Sequence, residues 1–354
     1  MKKLMFLISY LMISNFTYSQ DDKVDTTVKK IMKDNKIVGL QLAVIKDNKI
    51  IKTGHYGLAN IEDSIPVDKQ TVFSINSITK AFTSVAILQL VEKEKVNFEE
   101  PISKYLDSLP NTWENITVKQ ILTHKSGLPE IFNSEGNLLS ENSKILFQRI
   151  KESPLTFKPG TELRENQTNY ILLGMIIEKI SGQSFEKYLA ENIFKKAGMK
   201  ISEDAGLGDF YNIIKHSARP YSFYGSNDLS SVYQPMPTIL YPAGGIYSTA
   251  TEIAQWVIAL QNNQLINAEN LKTLIKPIEL NNGKLFEENG LLNQSSIGFS
   301  LSSRAENPII AANGGARNTL FIYPKKNVSI VVLTNLMGSH PQAFIEEIAK
   351  LYIN

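Results

Sequence analysis

Strand-like text lies at both ends of this chain, and helix-like text lies between. Near the start, "VGLQLAVIKDNKIIKTGHYGLAN" alternates apolar and polar residues around Asp47-Asn48, the pattern of a two-stranded hairpin. Near the end, "SIGFSLSS", "LFIYPKK" and "NVSIVVLTN" read as strands, with Lys325-Lys326-Asn327 as a turn. The intervening text carries helical periods: a helix from about Ser77 to Lys95, "NYILLGMIIEKISG" closed by Gly182, and "STATEIAQWVIAL" capped by Ser248 or Thr249. "HPQAFIEEIAKLYI" ends the chain as a helix. This order predicts an α/β (α+β) domain built from residues 20–95 and 275–354, with a mostly helical insertion over 96–274.

The first residues, "MKKLMFLISYLMISNFTYSQ", follow the plan of a secretory signal over 1–19. Lys2 and Lys3 precede an apolar stretch from Leu4 to Ile13, and Thr17-Tyr18-Ser19 offers a cleavage site. The apolar stretch is short for a membrane span. A periplasmic or secreted location is expected, with no integral membrane span after signal removal. The net charge of +2 gives no basic footprint for nucleic acid. The absence of cysteine excludes a disulfide framework, and four unpaired histidines (His55, His124, His216, His340) offer no metal-ligand spacing. No glycine-rich nucleotide loop and no G-x-S-x-G elbow occurs, so neither cofactor nor metal is expected.

One short stretch carries chemistry. In "FSINSITKAFTSVAILQL", Ser77 precedes Lys80 by three residues at the start of a helix. Residues so spaced share a helix face, so the hydroxyl and the amine can meet. A serine needs a base to become a nucleophile, and the helix N-terminus favours a developing oxyanion. The pattern alone is weak, because Ser184-Phe185-Glu186-Lys187 repeats it where Ser184 reads as a helix cap.

Further stretches follow in order: "ITVKQILTHKSGLPE", "PGTELRENQTNYILLGMIIEKISGQSFEKYL", "YPAGGIYSTATEIAQWVIAL" and "NGGARNTLFIYPKKNVSIVVLTN". With the Ser77 stretch, they resemble the serine β-lactamase and penicillin-binding protein family, in the branch of class C β-lactamases, DD-carboxypeptidases and related esterases. The resemblance implies an antiparallel sheet flanked by helices with a helical domain across the cleft. It makes Ser77 the acylated nucleophile and Lys80 its partner. It also places the oxyanion at the backbone N–H groups of Ser77 and Ala316.

Two motifs depart from the family pattern. Where the family has Tyr-x-Asn, this chain has Glu165-Asn166-Gln167. Gln167 keeps an amide for Lys80 or for a substrate carbonyl. Glu165 brings a carboxylate, which either favours the ammonium of Lys80 and disarms it, or acts as the base itself. Where the family has Lys/His-Thr/Gly-Gly, this chain has Asn313-Gly314-Gly315. The glycines let backbone approach the substrate, but the cation is gone. Arg317 either replaces it or is a surface residue. Ser140-Glu141-Asn142 stays a minor alternative for the middle motif, ranked below Glu165–Gln167 because no helix is expected after it. Lys52-Thr53-Gly54 and Lys125-Ser126-Gly127 match the triplet out of order.

The expectation is a serine hydrolase acting through a Ser77 acyl-enzyme on a small-molecule or peptide substrate, of which a cell-wall fragment is one candidate. Ser77, Lys80 and Glu165 are the catalytic candidates. Gln167, Asn313, Gly314, Gly315, Ala316 and Arg317 are the substrate-binding ones. The rival readings are an inactive envelope binding protein using the same cleft and a penicillin-acylated sensor.

Overall fold

The computed structural model describes residues 22–208, 212–223, 225 and 227–353. The leader expected over 1–19 lies outside them. Its centre is an eight-stranded antiparallel sheet. We number the strands β1 (Gly39–Lys46), β2 (Lys49–Asn60), β3 (Ile65–Pro66), β4 (Gln294–Ser295), β5 (Ser300–Ser302), β6 (Ile309–Gly314), β7 (Asn318–Tyr323) and β8 (Val328–Thr334). Their order across the sheet is β3-β2-β1-β8-β7-β6-β5-β4. The two ends of the chain meet where β1 pairs with β8, with Leu40 opposite Thr334 and Val44 opposite Ile330.

The β1–β2 hairpin turns on Asp47 and Asn48, both at positive φ (50° and 58°). Two successive left-handed residues suit the right-handed twist of the strands, and Asp and Asn tolerate that region. At the other turn, Pro324–Lys326 makes a single 3₁₀ turn and Asn327 (φ 50°) returns the chain to β8.

Both faces of the sheet are covered. Leu40, Leu42 and Val44 of β1, with Val328, Ile330 and Val332 of β8, pack under the N-terminal helix (22–34) and the C-terminal helix. Ala43 and Ile45, with Val331 and Leu333, face the larger core. Alternate side chains thus enter different cores, which is why β8 is buried at every position. The helices that matter here are α1 (Thr79–Glu92), α2 (Ser143–Glu152), α3 (Thr168–Ser181), α4 (Ala250–Gln261) and α5 (Ile345–Ile353).

Helix α1 lies at the centre of the larger core. Every residue from Thr79 to Leu90 is buried, so it is a central helix without a solvent face. Its polar residues are satisfied inside: Thr83 Oγ1 donates to Pro242 O (2.7 Å), and Gln89 Nε2 donates to Leu265 O (3.0 Å). α3 ends at Gly182, whose φ of 70° is the left-handed cap foreseen for it. α4 is capped by Thr249, one of the two residues foreseen for that role, and its side chain accepts from Glu252 N. α4 packs against β1 and β8.

The segment after Ser140 departs from expectation, because α2 follows it directly. Asn142 is the N-cap of α2 and accepts from Lys144 N and Ile145 N. Its amide serves a helix end, and none of Ser140, Glu141 and Asn142 lines the cavities at Ser77. Ser184 likewise caps a short helix and accepts from Lys187 N.

Candidate active site

Ser77 sits in a 3₁₀ turn, Asn76–Ile78, that runs straight into α1. Three contacts fix this turn. Phe73 and Ser74 pair with Ser248 and Tyr247, and Ile75 N donates to Ile246 O (3.0 Å). Asn76 then takes a left-handed φ of 50° and donates from Nδ2 to Ser74 O. Asparagine is one of the few residues that accept this region without a large penalty. On the sheet side, β6 ends against the same turn. A methyl carbon on Gly314 would lie 2.0 Å from Ile75 O, and one on Gly315 would lie 2.8 Å from Asn76 Cγ. The two glycines therefore let the strand end and the serine turn touch.

Lys80 lies in the first turn of α1, 4% exposed. Its Nζ donates to Ser77 Oγ at 3.2 Å and to Glu165 Oε1 at 2.6 Å. Glu165 stands on the cleft wall with its side chain 63% exposed, and forms an ion pair with the buried amine. Lys80 holds the Glu165 carboxyl down at about 2, against partial burial, with a smaller contribution from His124. Lys80 is thus the bridge: both Ser77 and Glu165 bond to it, and among the described residues no hydrogen bond joins Glu165 to Ser77 directly. The nearby phenol of Tyr170 is turned away, sharing a 3.1 Å hydrogen bond with Ser84 Oγ while its ring lies 5.7 Å from Lys80 Nζ.

His124 holds the loop that presents Glu165. Its Nδ1 accepts from Asn166 N (3.3 Å) and faces Asn169 Nδ2 at 2.9 Å. Accepting a backbone N–H requires a bare Nδ1, so the ring carries its proton on Nε2. Burial, with the nearby Lys80 charge, lowers its pKa to about 4 although Glu165 opposes the shift. The ring therefore stays neutral at ordinary pH. Glu130 accepts the backbone N–H groups of Ile131 and Gln167, tying the start of α3 to the same wall, and burial raises its pKa.

Ser77 lies on the wall of two cavities. The larger, about 410 Å³, is lined by Gln167, Gly315 and apolar groups that include Ile131, Phe132, Leu138 and Met236. The smaller, about 190 Å³, is polar and holds Lys80, His124, Glu165 and Asn313. Gln167 borders the larger space and makes no hydrogen bond to Lys80 among the described residues. Asn313 borders the smaller one, and its Oδ1 accepts from Thr319 Oγ1 across the β6–β7 pair at 2.5 Å.

Arg317 is neither on the surface nor at Ser77. It is 4% exposed and donates from Nη2 to Gln234 Oε1 (2.9 Å), while Gln234 Nε2 reaches Asn76 Oδ1 (3.3 Å). Sequence reasoning missed His124, Glu130 and Gln234. The His124 contact spans 42 residues and the Gln234–Asn76 contact 158, and neither leaves a local pattern.

A family model described as Beta-lactamase matches residues 24–353. The chain belongs to the Beta-lactamase family. Among its relatives, Protein flp of Staphylococcus aureus (strain MRSA252) is 26% identical over 347 residues, 96% of this chain and 67% of that protein. The crystal structure of a penicillin binding protein from Bacillus halodurans superposes with a TM-score of 0.77 at 27% identity, covering 90% of this chain and 99% of that one. A D-amino acid amidase from Ochrobactrum anthropi SV3 reaches a TM-score of 0.75 at 19% identity over 93% of this chain and 98% of its own, a likeness of fold. The family's antiparallel sheet with flanking helices is the architecture described above. Among the described residues no helix is long and apolar enough to cross a membrane.

Proposed function

We propose that the protein is an exported serine hydrolase that cleaves an ester, amide or peptide through an acyl-enzyme on Ser77. The observation that carries this reading is Lys80 Nζ, bonded at once to Glu165 Oε1 and to the Oγ of Ser77, which borders two cavities. Ser77 Oγ attacks the substrate carbonyl and gives its proton to Lys80 Nζ as Lys80 passes one of its own to Glu165. A carboxylate held near 2 takes no proton in the resting site; it takes one only as Lys80 receives the serine's. The pair then returns a proton to the leaving group when the tetrahedral intermediate collapses. Water repeats the steps on the acyl-enzyme. This is general acid–base catalysis by a relay. The N–H groups of Ser77 and Ala316 receive the oxyanion, and the apolar cavity beside Gln167 takes the acyl chain.

Asn313 carries no charge and is engaged by Thr319. A substrate carboxylate gains no cation there, which favours simple esters and amides over β-lactams as substrates.

The test is the intact mass of wild type and Ser77→Ala after treatment with a fluorophosphonate and, separately, with a penicillin. Wild type acquires one phosphonyl group and the variant none. A lasting penicilloyl adduct would instead mark a sensor. No adduct with either reagent would leave a binding protein and overturn the proposal.

A further inference from the structure

A third cavity, about 250 Å³, adjoins the apolar one at Ser77. The two share Val232, Gln234 and Met236, but Ser77 borders only the latter. Arg317 lines this third space. It is a buried cation whose one side-chain hydrogen bond among the described residues goes to a neutral amide oxygen, that of Gln234. Among the described residues no carboxylate forms an ion pair with it. Burial lowers its pKa to about 10, with the Tyr247 phenol opposing the shift.

Buried charges in proteins are normally paired, because desolvation of a lone ion is costly. A guanidinium placed against a cavity, with no carboxylate paired to it among the described residues, is poised for an anion from outside. The remaining N–H groups of the guanidinium form a planar fork that matches a carboxylate. Ser74, Thr334 and Asn335 add polar groups to the same wall, and Phe73, Ala218 and Pro220 add apolar surface. One cation in so small a space suits a monoanion better than a doubly charged phosphate.

We propose that Arg317 binds the carboxylate of an acidic ester or peptide substrate whose scissile carbonyl lies over Ser77. This rests on the hydrolase reading above. It adds that the acidic group is held past Gln234, on the side away from Asn313 and the small polar cavity. Gln234 then links the two events, because it bonds Arg317 through Oε1 and Asn76, the neighbour of Ser77, through Nε2.

The experiment compares nitrophenyl esters of neutral acyl chains with those of chains ending in a carboxylate, over several lengths, in wild type, Arg317→Gln and Arg317→Lys. At the best length, wild type should favour the acidic ester in kcat/KM by about 10-fold or more. Arg317→Gln should erase that preference and Arg317→Lys should restore part of it. An equal preference in all three proteins overturns the proposal. A second readout is independent of turnover and of how the variants fold: glutarate, but not glutaramide, should raise the Tm of wild type. A Tm that responds to inorganic phosphate and not to glutarate overturns the carboxylate assignment. If no ester is hydrolysed but glutarate still raises Tm, the hydrolase reading fails and the anion pocket stands.

Discussion

The contact between β6 and the serine turn can be tested by one carbon atom. In Gly314→Ala the added methyl carbon would meet Ile75 O at 2.0 Å. Carbon and oxygen rarely approach within about 3.2 Å, so the strand end or the turn must retreat by roughly 1 Å. The neighbour is backbone, and it is held by Ile75 N bonding to Ile246 O, so no flexible side chain can absorb the shift. Overpacking of this kind costs about 1–3 kcal/mol of stability. A 1 Å displacement of a reacting group can cost about 10²-fold in rate. The second-order rate of fluorophosphonate labelling at Ser77 should therefore fall about 10²-fold, with a measurable drop in Tm. Gly182→Ala separates the two effects. Gly182 has φ 70° and open space around it, so its variant should lose about 1 kcal/mol and keep its labelling rate. If Gly314→Ala labels within about threefold of wild type, the strand end does not position the nucleophile and the reasoning is wrong.

Glu165→Gln keeps the shape of the side chain and removes the anion beside Lys80; labelling of Ser77 should fall by about 10²–10⁴-fold. The same variant gives a pH signature. A carboxyl held at about 2, below its ordinary 4.5, contributes stability above pH 4.5 that is lost as pH falls through 2. The Tm difference between wild type and variant should thus be level above pH 5 and close as the pH nears 2. It should be small, because Glu165 is largely exposed, and a difference that grows on acidification would contradict the assignment. His124→Phe keeps a buried ring but leaves Asn166 N–H without its acceptor; about 1–3 kcal/mol should be lost in urea unfolding. Labelling should fall with it, since this N–H anchors the loop that carries Glu165, and full labelling in a destabilised variant would limit His124 to packing.

Features written in neighbouring residues were legible in the sequence. Asp47-Asn48 marked a hairpin because two adjacent residues must share positive φ. Thr249 and Gly182 marked helix ends because a cap is a local event. The Ser77–Lys80 pair was legible for the same reason, as one turn of one helix. The misreadings fall where a residue's role is set by distant partners. The helical spacing in α1 does not reveal that Thr83, Ser84 and Gln89 are polar groups satisfied within the core rather than by water. Asn142 was a candidate for a catalytic triplet and is a helix cap. Arg317 had a surface reading as one of two alternatives because most arginines are solvated; it is buried and bonds Gln234, 83 residues away. The meeting of Glu165 with Lys80 across 85 residues came from motif order alone. Nothing in the local text of either segment requires it.

The pairing of β1 with β8 also has a consequence in time. During synthesis at roughly 5–20 residues per second, β1 emerges some 15–60 s before its partner strand exists. Until then the hairpin has β2 on one edge only, with Leu40, Leu42 and Val44 uncovered on one face and Ala43 and Ile45 on the other. The nucleophile turn shares that delay, because the strand end that clamps it, β6, also comes late in the chain. The proposed nucleophile is thus positioned only after β6 has been made, and a chain cut short before residue 309 would carry Ser77 and Lys80 without that wall.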